Sequence, residues 1–289
     1  MRDTITSPRV EVMKRKRRSY RIRLAVLSLI LLLVTSGALA YFSYHPRVRL
    51  SSVRVTGTRV INASDIESFV KEDMAGSYVH VFAKSNAFIY PRKKIYNDLL
   101  NRFHRIETLS VYRDNLNTIQ INITERAGSY LYCGTDIPAR DIDIGENCYF
   151  IDEDGYIFDK APYFSGNIYF TYYAPLPLLE GASPLGSNIA SVESFHILTQ
   201  FIESIKGLKF DPLYVVIHPQ ATSTLYLRHR PLATTPTILF KQNDMMPRMI
   251  DNLAASMNQK EFANEINSKY ASLLYIDLRF NNKVVYKFK

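Results

Sequence analysis

One apolar stretch dominates the hydropathy pattern. From Leu24 to Tyr44 no charged residue occurs over 21 positions, and Tyr41, Phe42 and Tyr44 close the run. A helix rising ~1.5 Å per residue needs roughly 20 residues to cross the hydrocarbon core, and aromatic side chains favour the interface beyond it. The pattern predicts a membrane-spanning helix over 24–44. The small-x-small triplet Ala38-Leu39-Ala40 suits a rival reading, a cleaved secretory signal. The long lead-in and the continuation through Tyr41-Phe42 favour a retained anchor. With no second apolar run of that length, a single crossing is expected.

Beyond the anchor the period shortens. Val53-Arg54-Val55-Thr56-Gly57 alternates and then turns at a glycine. Ser64-Asp65-Ile66-Glu67 has the form of a capping box, followed by Ile66, Phe69, Val70 and Met74 at helical spacing and a stop at Gly76. Pro91 opens a second helix whose apolar stripe is Ile95, Leu99, Leu100 and Phe103. Two alternating strands, Leu109–Tyr112 and Ile119–Ile123, flank the turn-rich 113–117. The unit thus reads strand, helix, helix, strand, strand.

The remainder is richer in strands. Ser129–Cys133 and Tyr149–Phe158 read as strands, the latter folded at Asp154-Gly155. An amphipathic helix is expected from Ile189 to Ile205, with Val192, Phe195, Leu198, Phe201, Ile202 and Ile205 on one face and Gly207 as its stop. Strands follow at 213–218, 223–228 and 237–240. Asp244 and Pro247 start another helix, with Ile250, Leu253, Ala254 and Met257 inward. The chain ends in a hairpin, 273–280 and 283–288, turning at Asn281-Asn282, since asparagine tolerates positive φ. The expected fold class is α+β: a single transmembrane helix, a β-α-α-β-β domain, and a mostly antiparallel β domain with helices on one face.

Charge sharpens the membrane reading. Net charge is +9, but residues 1–23 hold nine basic residues against Asp3 and Glu11, leaving 27 basic and 25 acidic residues in the other 266. The basic excess belongs to the tail, around Lys14–Arg18, Arg21 and Arg23. Basic residues beside a span keep that side cytoplasmic, so the tail is expected inside and the C-terminal domains outside. A nucleic-acid-binding arm is the weaker reading of such a run, and no nucleic acid partner is expected. Twenty Tyr and no Trp suit β-rich structure.

Candidate chemistry is sparse. His45, His80, His104, His196, His218 and His229 show no metal-ligand spacing, and no serine sits in a G-x-S-x-G elbow. Asp152, Asp154 and Asp159 make a poor calcium loop, and Asp154-Gly155 reads as a turn. The acidic group Asp136, Asp141, Asp143 and Glu146 reads as a solvated loop. Sequons occur at Asn62 and Asn122. No catalytic residue, metal or cofactor is expected. Cys133 ends one strand-like run and Cys148 begins the next, so paired strands would bring them face to face. Oxidation is permitted outside the cytoplasm; two buried thiols is the other reading.

Anchor, V-x-V-x-G, two helices, and two strands closing on Glu125-Arg126 together resemble the POTRA domain of the FtsQ/DivIB cell-division family. Tyr149–Phe158 is similar to the family's entry into its β domain, and Leu274-Tyr275-Ile276-Asp277-Leu278-Arg279-Phe280 to its penultimate strand, Y-[IV]-D-L-R-[YF]. The acidic loop 134–147 and the Pro-, Tyr- and Gly-rich 166–186 depart from the family. The resemblance implies a tail (1–23), an anchor (24–44), a POTRA domain (48–127) and a β domain (128–289). It further implies a non-enzymatic divisome scaffold in the cell membrane at the division septum, linking early division proteins to septal peptidoglycan synthesis. The implied partners are FtsB- or DivIC-like and FtsL-like single-pass coiled-coil proteins, together with other divisome proteins. A terminal strand offers an open edge to an incoming strand, and the resemblance places docking at this end of the β domain. The expected contact residues are Phe280, Asn282, Lys283, Val284, Val285, Tyr286, Lys287 and Phe288; in the other reading Val284, Tyr286 and Phe288 simply pack inward and the edge is covered. A second edge is expected at Val53, Arg54 and Val55. The alternative function is a POTRA-type chaperone or assembly module for exported proteins.

Overall fold

The computed structural model describes residues 8–135, 137, 147–164, 168–179, 181–219, 222–228 and 235–289. Asp136, Asp141, Asp143, Glu146 and His229 lie outside these residues. Helix α1 (Pro8–Ser43) takes in the basic segment as well as the apolar run. Its stretch Lys16–Ser43 is long and apolar enough to cross a membrane, and its apolar window is not buried by any of the described residues. The hydroxyls of Ser28, Thr35 and Ser36 donate back to carbonyls of Ala25 and Leu32. The apolar stretch thus satisfies these polar groups within itself, as a lipid environment requires.

The chain divides into two compact units, α1 belonging to the first: Met1–Leu100 with Thr108–Thr124, and Asn101–Glu107 with Glu125–Lys289. Arg105 and Arg126 both belong to the second unit. Arg105 pairs with Asp159, and Arg126 pairs with Asp152 while lying over the Tyr156 ring.

The first unit contains β1 (Ser52–Thr56), α2 (Ala63–Asp73), β2 (Ser77–Tyr78), β3 (Phe82–Ala83), α3 (Arg92–Arg102), β4 (Ile106–Arg113) and β5 (Thr118–Glu125). Its sheet has the order β1-β5-β4, with β1 parallel to β5 and Val53 opposite Ile119. Parallel neighbours need a long crossover, which the helical segment supplies. Ile66 and Val70 of α2, Ile95 and Leu99 of α3, and Ile119, Ile121 and Ile123 of β5 are all buried. The expected capping box does not form. Asn62 is the N-cap residue, Asp65 donates its backbone N–H to the Asn62 carbonyl, and Ser64 lies inside the first turn. The ribbon β2–β3 between the helices was not expected; two-residue strands carry no periodic signal.

The second unit is built on a nine-stranded sheet. Its strands are β6 (Tyr130–Tyr132), β7 (Tyr149–Ile151), β8 (Ile157–Lys160), β9 (Thr171–Tyr173), β10 (Pro212–Ile217), β11 (Thr222–Leu227), β12 (Thr237–Lys241), β13 (Leu273–Asp277) and β14 (Val285–Phe288). They lie in the order β14-β13-β12-β11-β10-β9-β6-β7-β8, mostly antiparallel. Strand β9, inside the Pro- and Tyr-rich segment, runs parallel between β6 and β10. Helix α4 (Val192–Gly207) starts later than the apolar spacing suggests, because Ser191 caps it by accepting from the Ser194 N–H. Val192 is exposed rather than inward, and Gly207 is the last helical residue rather than a stop beyond it. Phe195, Leu198, Phe201, Ile202 and Ile205 are buried with Val215, Leu225, Ile238, Phe240 and Ile276, and Phe201 stacks on Phe240 at 4.5 Å. Tyr173, Tyr214 and Val216 form a separate cluster, as alternation to the opposite sheet face demands. Helix α5 (Met246–Met257) buries Met246, Met249 and Leu253, and α6 (Lys260–Ser268) buries Phe262 and Ile266.

The register of β6 with β7 sets Tyr132 opposite Tyr149, so the next pair outward is Cys133 and Cys148. These two are joined as a disulfide.

Candidate docking edge

Strand β13 leads into the edge from the core. Leu273 and Ile276 are fully buried and Asp277 nearly so. The Asp277 carboxylate accepts from the backbone N–H of Arg279 at 3.0 Å, from its Nε at 2.9 Å and from its Nη2 at 2.6 Å. Burial pushes the Asp277 pKa up, but the Arg279 hydrogen bonds outweigh it and hold the carboxyl below its usual value. The I-D-L-R run thus clamps its own exit from the sheet. Leu278 donates its N–H to Leu239, on the β12 side.

That diversion changes the expected hairpin. The ladder ends at Asp277 opposite Val285, so residues 278–284 form the connection instead of a two-residue turn. Asn282 does adopt positive φ, at 66°, within a tight turn in which Lys283 donates to Phe280. Phe280 is half exposed at this turn.

Strand β14 ends the sheet: it pairs with β13, and among the described residues no strand lies on its other side. Lys289 donates its N–H to Ser272. By the two-residue alternation of a strand, Lys287 and Val285 also turn their backbone groups toward β13, and Tyr286 and Phe288 turn theirs to the open edge. The side chains divide differently. Val284, Tyr286 and Phe288 pack against the main core, while Val285 and Lys287 are exposed. The Tyr286 ring meets Phe262 edge-on at 5.1 Å, and its hydroxyl donates to Glu265 at 2.8 Å. Lys269 donates to the same carboxylate at 3.0 Å and lies over the Phe288 ring. The Lys269 ammonium, then the Tyr286 hydroxyl, hold the Glu265 pKa below its usual value. Helix α6 therefore fastens β14 by its side chains and leaves its outer backbone available. Sequence reasoning passed over α6, although Phe262 and Ile266 four residues apart were the available signal.

The structure brings Val285–Phe288 together as one edge strand, with Phe280, Asn282, Lys283 and Val284 in the connection that leads into it. In the first unit, Val53, Arg54 and Val55 lie on β1, which also ends its sheet; Val53 is buried and Arg54 pairs with Asp114.

The ionisable residues weighed for chemistry are dispersed. Asp152 takes the backbone N–H groups of Asp154 and Tyr156 and the Arg126 guanidinium, Asp154 meets His196 at 2.9 Å, and Asp159 holds Arg105. His104 bonds the Tyr156 hydroxyl, and burial lowers its pKa. His218 bonds Thr224. Among the described residues no three His, Cys, Asp or Glu side chains group as metal ligands.

Compared with known proteins, the chain matches no protein-family model and no curated sequence.

Proposed function

We propose that the chain is a bitopic, non-enzymatic scaffold of the FtsQ/DivIB kind. It holds FtsB- or DivIC-like and FtsL-like coiled-coil partners outside the cytoplasm and links early division proteins to septal peptidoglycan synthesis. One observation carries this reading: β14 ends the sheet with an open backbone edge while α6 pins its inner face. The helical crossover between parallel β1 and β5 suits the POTRA part of the resemblance, and the uncovered apolar helix suits the anchor.

An incoming strand would find the N–H and C=O groups of Tyr286 and Phe288, four bonds worth ~0.5–1.5 kcal/mol each. Association itself costs about 4–15 kcal/mol. Backbone pairing alone is therefore weak, and two further contributions fit the arrangement. Phe280 offers an aromatic anchor beside the edge, and confinement of both partners to one membrane raises their effective concentration.

The test uses the full chain in dividing cells of its source. An N-terminal fluorescent fusion reports position, and a photo-crosslinking residue at Val285 or Lys287, both exposed, reports capture. The expected result is a mid-cell band before constriction and a crosslink to a small single-pass protein. Uniform envelope labelling without that crosslink would overturn the proposal in favour of an export-assembly module.

A further inference from the structure

The outer end of α1 is fastened into the first unit. Ser43, the last helical residue, is 4% exposed. Its hydroxyl accepts the Ala83 N–H at 3.0 Å, and its carbonyl accepts from the Asn86 side chain at 3.2 Å. The chain after the helix is then zipped to the segment beyond β3. Ala87 donates to Val48 and Leu50 donates to Ser85, both at 2.8 Å. These buried bonds hold the β2–β3 ribbon and residues 86–90 beside the outer end of the apolar helix.

What they hold there is apolar and exposed. Phe88 is 67% exposed and Ile89 42%, Val79 at the tip of the ribbon is 86% exposed, and Tyr41 and Phe42 of the helix are exposed as well. Phe88, Ile89, Phe82, Leu39 and Phe42 help line a hollow of about 530 Å³ around the helix exit. Val79 is informative for its backbone. It and His80 have φ of 49° and 60° at the ribbon's tip, closed by a Val81-to-Tyr78 hydrogen bond. Two successive positive φ values make a turn that favours Asn-Gly; a β-branched residue there is a strained choice. Facing water, Val79 would add apolar exposure to that strain. Along the sequence the flanking charge is of one sign, with Asp114 of the β4–β5 turn pairing with Arg54. Residues 39–64 and 74–97 contain basic but no acidic residues. Arg47 and Arg49 follow the helix directly, and Arg113 donates to the Ala87 carbonyl while lying over the Phe88 ring at 5.0 Å.

We propose that Val79, Phe88 and Ile89 form, with Tyr41 and Phe42, a collar that seats the first unit in the outer leaflet of the phospholipid bilayer, with Arg47 and Arg49 at the lipid phosphates. The inference rests on α1 spanning the membrane. Continuity with the apolar helix selects a bilayer as occupant: the collar starts where the span ends, so its side chains meet the headgroup and acyl boundary. Apolar side chains backed by cations are the composition of segments that lie in that zone.

The chain contains no tryptophan, so one introduced Trp reports one position. Full chains carrying Leu31→Trp, Phe88→Trp, Val79→Trp or Val60→Trp are reconstituted into phosphatidylcholine and phosphatidylglycerol vesicles, with or without lipids brominated along the acyl chain. Leu31 lies within the apolar run of α1, and Val60 lies past the far end of β1 from the helix exit. The collar predicts about two-fold quenching, with blue-shifted emission, at 88 and 79 as well as at 31, and none at 60. Quenching at 31 but not at 88 or 79 overturns the collar and leaves the span standing. No quenching at 31 removes the span and the collar together. Equal quenching at 60 means general adsorption and also overturns the collar.

Discussion

Replacing Gly57 with alanine probes the backbone demand behind the V-x-V-x-G strand. Gly57 has φ of +89°, and a Cβ there would lie 1.9 Å from the carbonyl oxygen of Ile123 in β5. A left-handed backbone costs an L-residue ~1–2 kcal/mol. The close atom is backbone and cannot rotate away, so β5 must shift, which by analogy with overpacking costs about 1–3 kcal/mol. The expected loss is about 2–5 kcal/mol, confined to the first unit. Amide hydrogen exchange on the full chain reads this with an internal control. Val53–Thr56 and Ile119–Ile123 should exchange roughly 30- to 5,000-fold faster, at about 1.4 kcal/mol per tenfold, while β11 and β12 keep their rates. Protection in β1 and β5 unchanged within about threefold would refute the reasoning, since on this backbone an alanine Cβ meets that carbonyl unless one of the two segments moves.

Other expectations concern the second unit. Replacing Cys133 and Cys148 with alanine opens a cross-link spanning 15 positions, costing ~3 kcal/mol on the chain-entropy model and lowering its melting temperature by about 6–12 °C by calorimetry. Glu265 has a depressed pKa, so its contribution to holding β14 is present above its ordinary 4.5 and is lost as pH falls through the lower folded value. Proteolysis of the C-terminal strand should accelerate in that acid window, and Glu265→Gln should abolish the step. Phe240→Ala removes a fully buried ring stacked on Phe201 and should cost about 3–5 kcal/mol in urea unfolding.

Much was legible in the chain because the signals were local. Twenty-one uncharged residues predict an apolar helix regardless of what surrounds it. The alternation of Ile119, Ile121 and Ile123 and the stripe of α4 from Phe195 to Ile205 are periodicities that any buried face imposes. Strand β14 was likewise visible as an alternating run from Val284 to Phe288. Boundaries were less legible. Ser64 matched a capping box, yet Asn62 two residues earlier took the cap. Val192 continued the apolar spacing, yet Ser191 began the helix and left it outside.

What the sequence by itself determined is the set of elements whose hydrophobic period is long enough to read: the long apolar helix, the two-helix unit, and most strands of the large sheet. Only the tertiary structure decided which strand edges stay open, that β9 runs between β6 and β10, that α6 fastens β14 through Glu265 and Tyr286, and that Ser43 ties the apolar helix to β3. Period and propensity act over a few residues. Strand order, edge exposure and long-range hydrogen bonds depend on groups dozens of residues apart, which meet only when the whole unit closes on its core.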